Sequence, residues 1–186
     1  MTDLSRRFLL AGVAASALAL AACDNSIGSS GAQEIDARVD GSLDFLYQTY
    51  PGTLDLRDKA AGILVVPVVT EAGLGLGGSY GRGALRVGDV TVDYYSATQA
   101  SFGLQIGAQQ YSHALFFMTQ EALQAFRTSP GWVAGGEVKY AFKDQAETIS
   151  ADTVTATNPV IAVVFAQAGA IAGATIEGTK YNRIIP

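Results

Sequence analysis

The sequence predicts an α+β fold, with N-terminal helices packed on a coiled, glycine-rich antiparallel β-sheet of barrel- or sandwich-like form. Three observations carry this. Apolar residues recur at helical spacing near the front of the globular region, between Gln33 and Tyr50. From Gly62 onward the pattern turns apolar and β-branched, or alternates, over several successive runs of strand length. Finally, Gly73, Gly75, Gly77, Gly78, Gly81 and Gly83 crowd one stretch of strand character. Glycine weakens a strand, so its repeated use implies close approach of another backbone or a ligand, or strong coiling of the sheet. With 186 residues, 49% of them hydrophobic, the chain can bury one substantial core.

The front of the chain reads as an address. Arg6-Arg7 precedes an uncharged apolar run, Phe8 to Ala22, too short to span a bilayer and followed by Leu20-Ala21-Ala22-Cys23. That tetrad resembles a bacterial lipobox, in which the cysteine becomes the acylated first residue. Cys23 is the only cysteine and stands at the one position lipidation requires, which favours this reading over an ordinary signal with a chance cysteine. Ser5-Arg6-Arg7-Phe8-Leu9-Leu10 also resembles a twin-arginine export signal but lacks a lysine after the leucines, so both export routes stay open. The expected organisation is a signal peptide over residues 1–22, a lipidated Cys23 with a flexible tether over 23–32, and one domain over 33–186. Removing residues 1–22 takes away two arginines and one aspartate, moving the formal charge from −5 to −6. The acyl chains would hold the protein on a membrane facing the periplasm, in the inner or the outer membrane.

Within the domain, Ile35, Val39, Leu43, Leu46 and Tyr50 form one helical face; Glu34, Asp36, Arg38, Asp40, Asp44 and Gln48 are assigned to the opposite one. Pro51-Gly52 ends the helix, and a second short helix is expected over Leu54 to Ala61. Ile63 to Val69 is an apolar run for a strand covered on both faces, with an edge or bulge near Pro67, and it is expected to turn at Thr70-Glu71-Ala72. After the glycine-rich segment and a turn at Val87-Gly88-Asp89, strands are expected over Asp89 to Ala97, Gln99 to Gln109 and Tyr111 to Met118, as a meander. Thr119 can cap a helix running through Arg127, stopped by Ser129-Pro130-Gly131. Trp132 to Phe142 resumes strand character, Lys143 to Asn158 is a polar loop, and Pro159 to Gln167 with Ala170 to Ile185 reads as a closing hairpin.

Chemistry is sparse. Gly73-Leu74-Gly75-Leu76-Gly77-Gly78 matches a dinucleotide fingerprint, but Ser79 to Val92 alternates instead of opening the helix that a pyrophosphate needs, so the glycines read as architectural. The acidic balance argues against nucleic acid as a partner. There is no second histidine for a metal pair, no clustered oxygens for calcium and no nucleophile elbow; neither metal nor cofactor is expected, and no enzymatic activity. His113, on the Tyr111–His113–Leu115–Phe117 face of a strand, reads as packed or hydrogen-bonded. Tyr80, Tyr94 and Tyr95 read as core more than rim. Arg82, Arg86, Lys139, Lys143, Lys180 and Arg183 would form a basic lipid-binding patch if their strands are neighbours.

The order of the pieces resembles the SYLF family, also described as a lipid-binding or actin-binding domain. The resemblance rests on Ala61 to Pro67, Ala72 to Gly83, Ala100 to Gln109, Leu115 to Thr119 with Glu121-Ala122-Leu123, Gly131-Trp132 and Ile176-Glu177-Gly178. It implies a non-catalytic module that binds phospholipid or another membrane-proximal apolar ligand. The alternative is an envelope scaffold without a small ligand. Eukaryotic relatives are associated with phosphoinositide membranes and actin, the bacterial ones with the envelope. Their basic amphipathic helix corresponds here to an acidic one.

Overall fold

The computed structural model describes residues 30–136, 138–141, 158–169 and 175–186. The expected signal peptide, Cys23, Lys143 and the polar loop over 143–157 lie outside these residues.

Helix α1, Gly31–Thr49, buries Ile35, Val39 and Leu46 as its spacing predicts, and Tyr50 closes it from the C-cap. The short α2, Thr53–Lys59, follows and adds Leu56 to the same core. Gly41 sits inside α1 with nothing within 4 Å of the place a side chain would begin. Gly41→Ala is therefore expected to stabilise the fold by about 1 kcal/mol, read as a higher urea midpoint at unchanged slope.

Behind the helices, β1 (Gly62–Val87) and β2 (Val90–Phe117) form one antiparallel hairpin, paired from Gly62 with Phe117 to Val87 with Val90. Gly88 turns it at a φ of 59°. Here the structure corrects the expected pattern. The chain does not turn at Thr70-Glu71-Ala72, and the three strands expected after Gly88 are one. Irregularities of register at Val66/Val69, Leu74/Leu76 and Leu85/Arg86 bend the ladder without ending it. The first lies at Pro67, whose carbonyl accepts from the Ser112 hydroxyl at 2.6 Å. Glu71 stays in the strand because Gln109 Nε2 donates to its buried carboxylate at 2.7 Å.

The long hairpin doubles back on itself. Gly81 and Gly83 lie where the first half of β1 crosses the inner face of its second half. A Cβ on Gly83 would run into the Val65 carbonyl, and one on Gly81 would meet Val66 Cγ1 at 2.7 Å and the Val68 carbonyl at 2.8 Å. Of the reasons for the glycines, backbone-on-backbone approach holds at these two positions. The bend gives the sheet two apolar faces. The inner one gathers Leu64, Val66, Leu85, Tyr95, Leu115, Phe117, Val164 and Tyr181; the outer one, under α1 and α2, gathers Ile63, Val65, Ala84, Phe116, Ile161 and Val163.

Helix α3, Gln120–Thr128, is capped by Thr119, whose Oγ1 accepts from Ala122 N at 3.1 Å. It drives Phe126 into the inner core, with ring centroids 4.7 Å from Tyr95, 4.8 Å from Phe117 and 5.4 Å from Trp132. The strand expected from Trp132 is split into β3 (Trp132–Val133) and β4 (Val138–Ala141). Nor do the last strands form a hairpin. β5 (Val160–Gly169) pairs with the far half of β2, whereas β6 (Lys180–Ile184) pairs with its near half. The order is β3-β6-β2-β5-β4, with β1 also on β2. Pairing is antiparallel except between β4 and β5, which a long connection allows to run parallel. The result is the expected α+β architecture, helices on a curled sheet.

Candidate functional site

Among the described residues, part of the outer face of the doubled hairpin has no helix over it. Helix α1 shields the sheet around Ala84, but toward the bend the side chains of the same face emerge. Tyr80 is 53% exposed and Leu76 70% exposed. Val68, displaced by the irregularity at Pro67, is also exposed. Val68 and Tyr80, though not Leu76, border a shallow groove of about 200 Å³ with the first turns of α1, lined also by Glu34, Ile35, Arg38, Pro67 and Arg82. Burial of Tyr80 was the sequence expectation. The strand places it one pleat beyond the cover of α1, which no local pattern shows.

The acidic residues of α1 are not all turned to solvent. Asp36 accepts from Thr91 Oγ1 at 2.7 Å and from the Tyr94 hydroxyl at 2.8 Å. Burial, and then this hydrogen bond to a carboxylate, raise the Tyr94 hydroxyl to about 12. Arg86, mostly buried, reaches Asp40 at 2.6 Å and Asp36 at 3.6 Å. Glu34 pairs with Arg38 one turn on. The contacts of Asp36 and Asp40 pin α1 to the hairpin, and Arg38 and Arg86 offset part of the negative charge on a face that the sequence alone presents as repelling anionic lipid.

The basic residues singled out in the sequence are distributed as follows. Arg82 and Arg86 face α1, and Arg86 is engaged by its two carboxylates. Arg183, on β6, turns to the α3 side and pairs with Asp93 at 3.3 Å. Lys180 is exposed on β6, with its Cε 2.6 Å from where a side chain on Gly131 would start. Lys139 stands on β4 in register with Ile161. The structure therefore brings Arg82 to the groove, while Arg86 and Arg183 serve different sides of the sheet.

His113 is fully buried on the inner face, its Nε2 2.9 Å from the Tyr181 hydroxyl and its Nδ1 without a partner among the described residues. Burial pushes its pKa down to about 3. A ring buried from solvent and held against the Tyr181 hydroxyl is packed and hydrogen-bonded, as its strand position implies. Among the described residues no three His, Cys, Asp or Glu side chains gather to hold a metal ion, and no helix is long and apolar enough to cross a membrane.

Residues 98–183 match the family model described as Ysc84: Las17-binding protein actin regulator. A search of curated proteins finds no match. The matched span begins in the near half of β2 and ends in β6, taking in α3 and β5 but not β1, which also pairs with β2. Over these residues the chain is similar to the Ysc84 (SYLF) family.

Proposed function

We propose that this is a lipid-anchored bacterial envelope protein whose SYLF-type domain binds phospholipid, or another membrane-proximal apolar ligand, without catalysing a reaction on it. The observation that carries this is the exposed pair Val68 and Tyr80 beside Arg82 and the first turns of α1, with Leu76 exposed farther along the same strand. A short tether from an acylated Cys23 leads directly into that helix. Apolar side chains with a cation at their rim suit the acyl–headgroup boundary. The family description names Las17 and actin, but a chain exported to the periplasm has no cytoskeleton in reach, so the lipid side of the resemblance is the one that transfers.

Two measurements test the reading. Cys23→Ser in the full chain is expected to abolish acylation and move the exported protein from the membrane to the periplasmic fraction. If that variant stays on membranes and is processed normally, the anchor assignment is wrong. Protein beginning at Asp24 is expected to sediment with phospholipid vesicles, and Leu76→Asp with Tyr80→Asp to weaken this by about tenfold, a loss of about 1.4 kcal/mol. Co-purified lipid absent by mass spectrometry, with no vesicle binding and a protein partner on crosslinking, would instead favour an envelope scaffold.

A further inference from the structure

We propose that Arg127 and Arg183 form a binding site for a small phosphate monoester or a similar oxyanion, on the α3 side of the sheet and away from the groove at α1. Both guanidinium groups are aimed by one carboxylate. Asp93, whose side chain is only 12% exposed, accepts on Oδ2 from Arg127 Nε at 3.1 Å and from Arg183 Nη2 at 3.4 Å, and its Oδ1 lies 3.3 Å from Arg183 Nε as an ion pair. Arg183 Nη2 is tied further to the Arg127 carbonyl at 3.1 Å. Neither terminal Nη of Arg127 has a hydrogen-bond partner among the described residues.

The charge count separates this cluster from a simple staple. Near the same end of the hairpin, on the side covered by α1, Arg86 alone faces two carboxylates, Asp36 and Asp40. Here two guanidinium groups share one carboxylate, leaving an excess positive charge on a chain of net charge −5. One arginine would suffice to hold α3 against β2 and β6. A second, fixed beside the first, adds like-charge repulsion that a bound anion relieves. The two also border an open groove of about 350 Å³ with Gln120, Leu123, Gln124 and Thr128. The glutamine amides supply further donors, Leu123 an apolar side, and the planar arginine fork suits the oxygens of a phosphate.

The test is a titration of the full chain, purified in a neutral detergent, with inorganic phosphate and with glycerol 3-phosphate, followed through the arginine Nε resonances. Arg127→Gln and Arg183→Gln are each expected to weaken binding by about tenfold or more. Arg127→Lys, which keeps the charge but not the fork, should fall between Arg127→Gln and wild type. Arg57→Gln, removing an exposed arginine on α2, should leave binding unchanged. A second arm uses phosphatidylcholine vesicles with and without phosphatidylglycerol. If the anion is a headgroup, glycerol 3-phosphate competes with the vesicles and Arg127→Gln weakens both; if it is a free ester, vesicle binding is untouched by Arg127→Gln. Either result supports the site. No shift with either soluble probe, or affinities in Arg127→Gln and Arg183→Gln equal to that of Arg57→Gln, overturns it. Because the soluble probes need neither anchor nor bilayer, this outcome is independent of whether the groove at α1 binds lipid.

Discussion

Gly83→Ala is expected to cost at least about 3 kcal/mol, enough to leave most of the protein unfolded or insoluble. The new methyl would meet the Val65 carbonyl and lie 2.9 Å from Val66 Cα, so the obstacle is backbone on both counts and no rotamer change relieves it. The two halves of β1 would have to separate, opening the core that holds Val66, Leu85 and Tyr95. Gly81→Ala meets movable side chains as well as the Val68 carbonyl, and should be milder. The comparison with Gly41→Ala, expected to move stability the other way, removes any general effect of replacing glycine. Urea denaturation of the three variants measures this directly. A Gly83→Ala protein within about 1 kcal/mol of wild type would mean that the strand does not cross itself there.

Acid should destabilise the protein through His113. Its folded pKa is about 3, lowered from an ordinary value near 6.5 because burial disfavours the charged ring. Above pH 6.5 both folded and unfolded states are neutral at this residue, and it makes no pH-dependent contribution. Between pH 6.5 and 3 the unfolded chain binds a proton that the folded one refuses. Stability therefore falls with falling pH across that window, by about 1.4 kcal/mol per unit, or about 3 kcal/mol at pH 4. Below the folded pKa the loss levels off. Its ring neighbours Tyr111 and Tyr181 carry no charge that would soften the effect. His113→Gln cannot titrate, so its denaturation midpoint should decline less than that of wild type between pH 7 and pH 4. Parallel curves for the two proteins would show that the imidazole gains its proton without unfolding.

What could be read from the chain beforehand was local. The α1 face of Ile35, Val39, Leu46 and Tyr50, the Thr119 cap, the disturbance at Pro67 and the turn at Gly88 each depend on residues a few positions apart. What could not be read depends on partners far along the chain. Glu71 looks like a turn residue until Gln109 is beside it, and Asp36 looks like a solvent-facing acid until Thr91 and Tyr94 are under it. The closing hairpin that the local pattern suggests does not form for the same reason, since β5 and β6 each pair with β2 and not with one another. The glycines signalled a close approach without saying to what. As for the candidate sites, Arg82 and Arg183 were visible as residues. The bareness of Tyr80 and the Arg127–Asp93–Arg183 cluster are products of tertiary geometry.

The position of β2 has a consequence for assembly. Because it serves β6 along one stretch and β5 along another, neither late strand has a docking rail until residues 62–117 have formed and folded over. Such a molecule should acquire structure from the front backwards and slowly, its rate limited by pairing between distant residues. Until the C-terminal strands arrive, both stretches of β2 are open edges, competent to recruit a second chain. A truncated product ending before residue 158 is thus expected to aggregate rather than persist as a smaller folded unit.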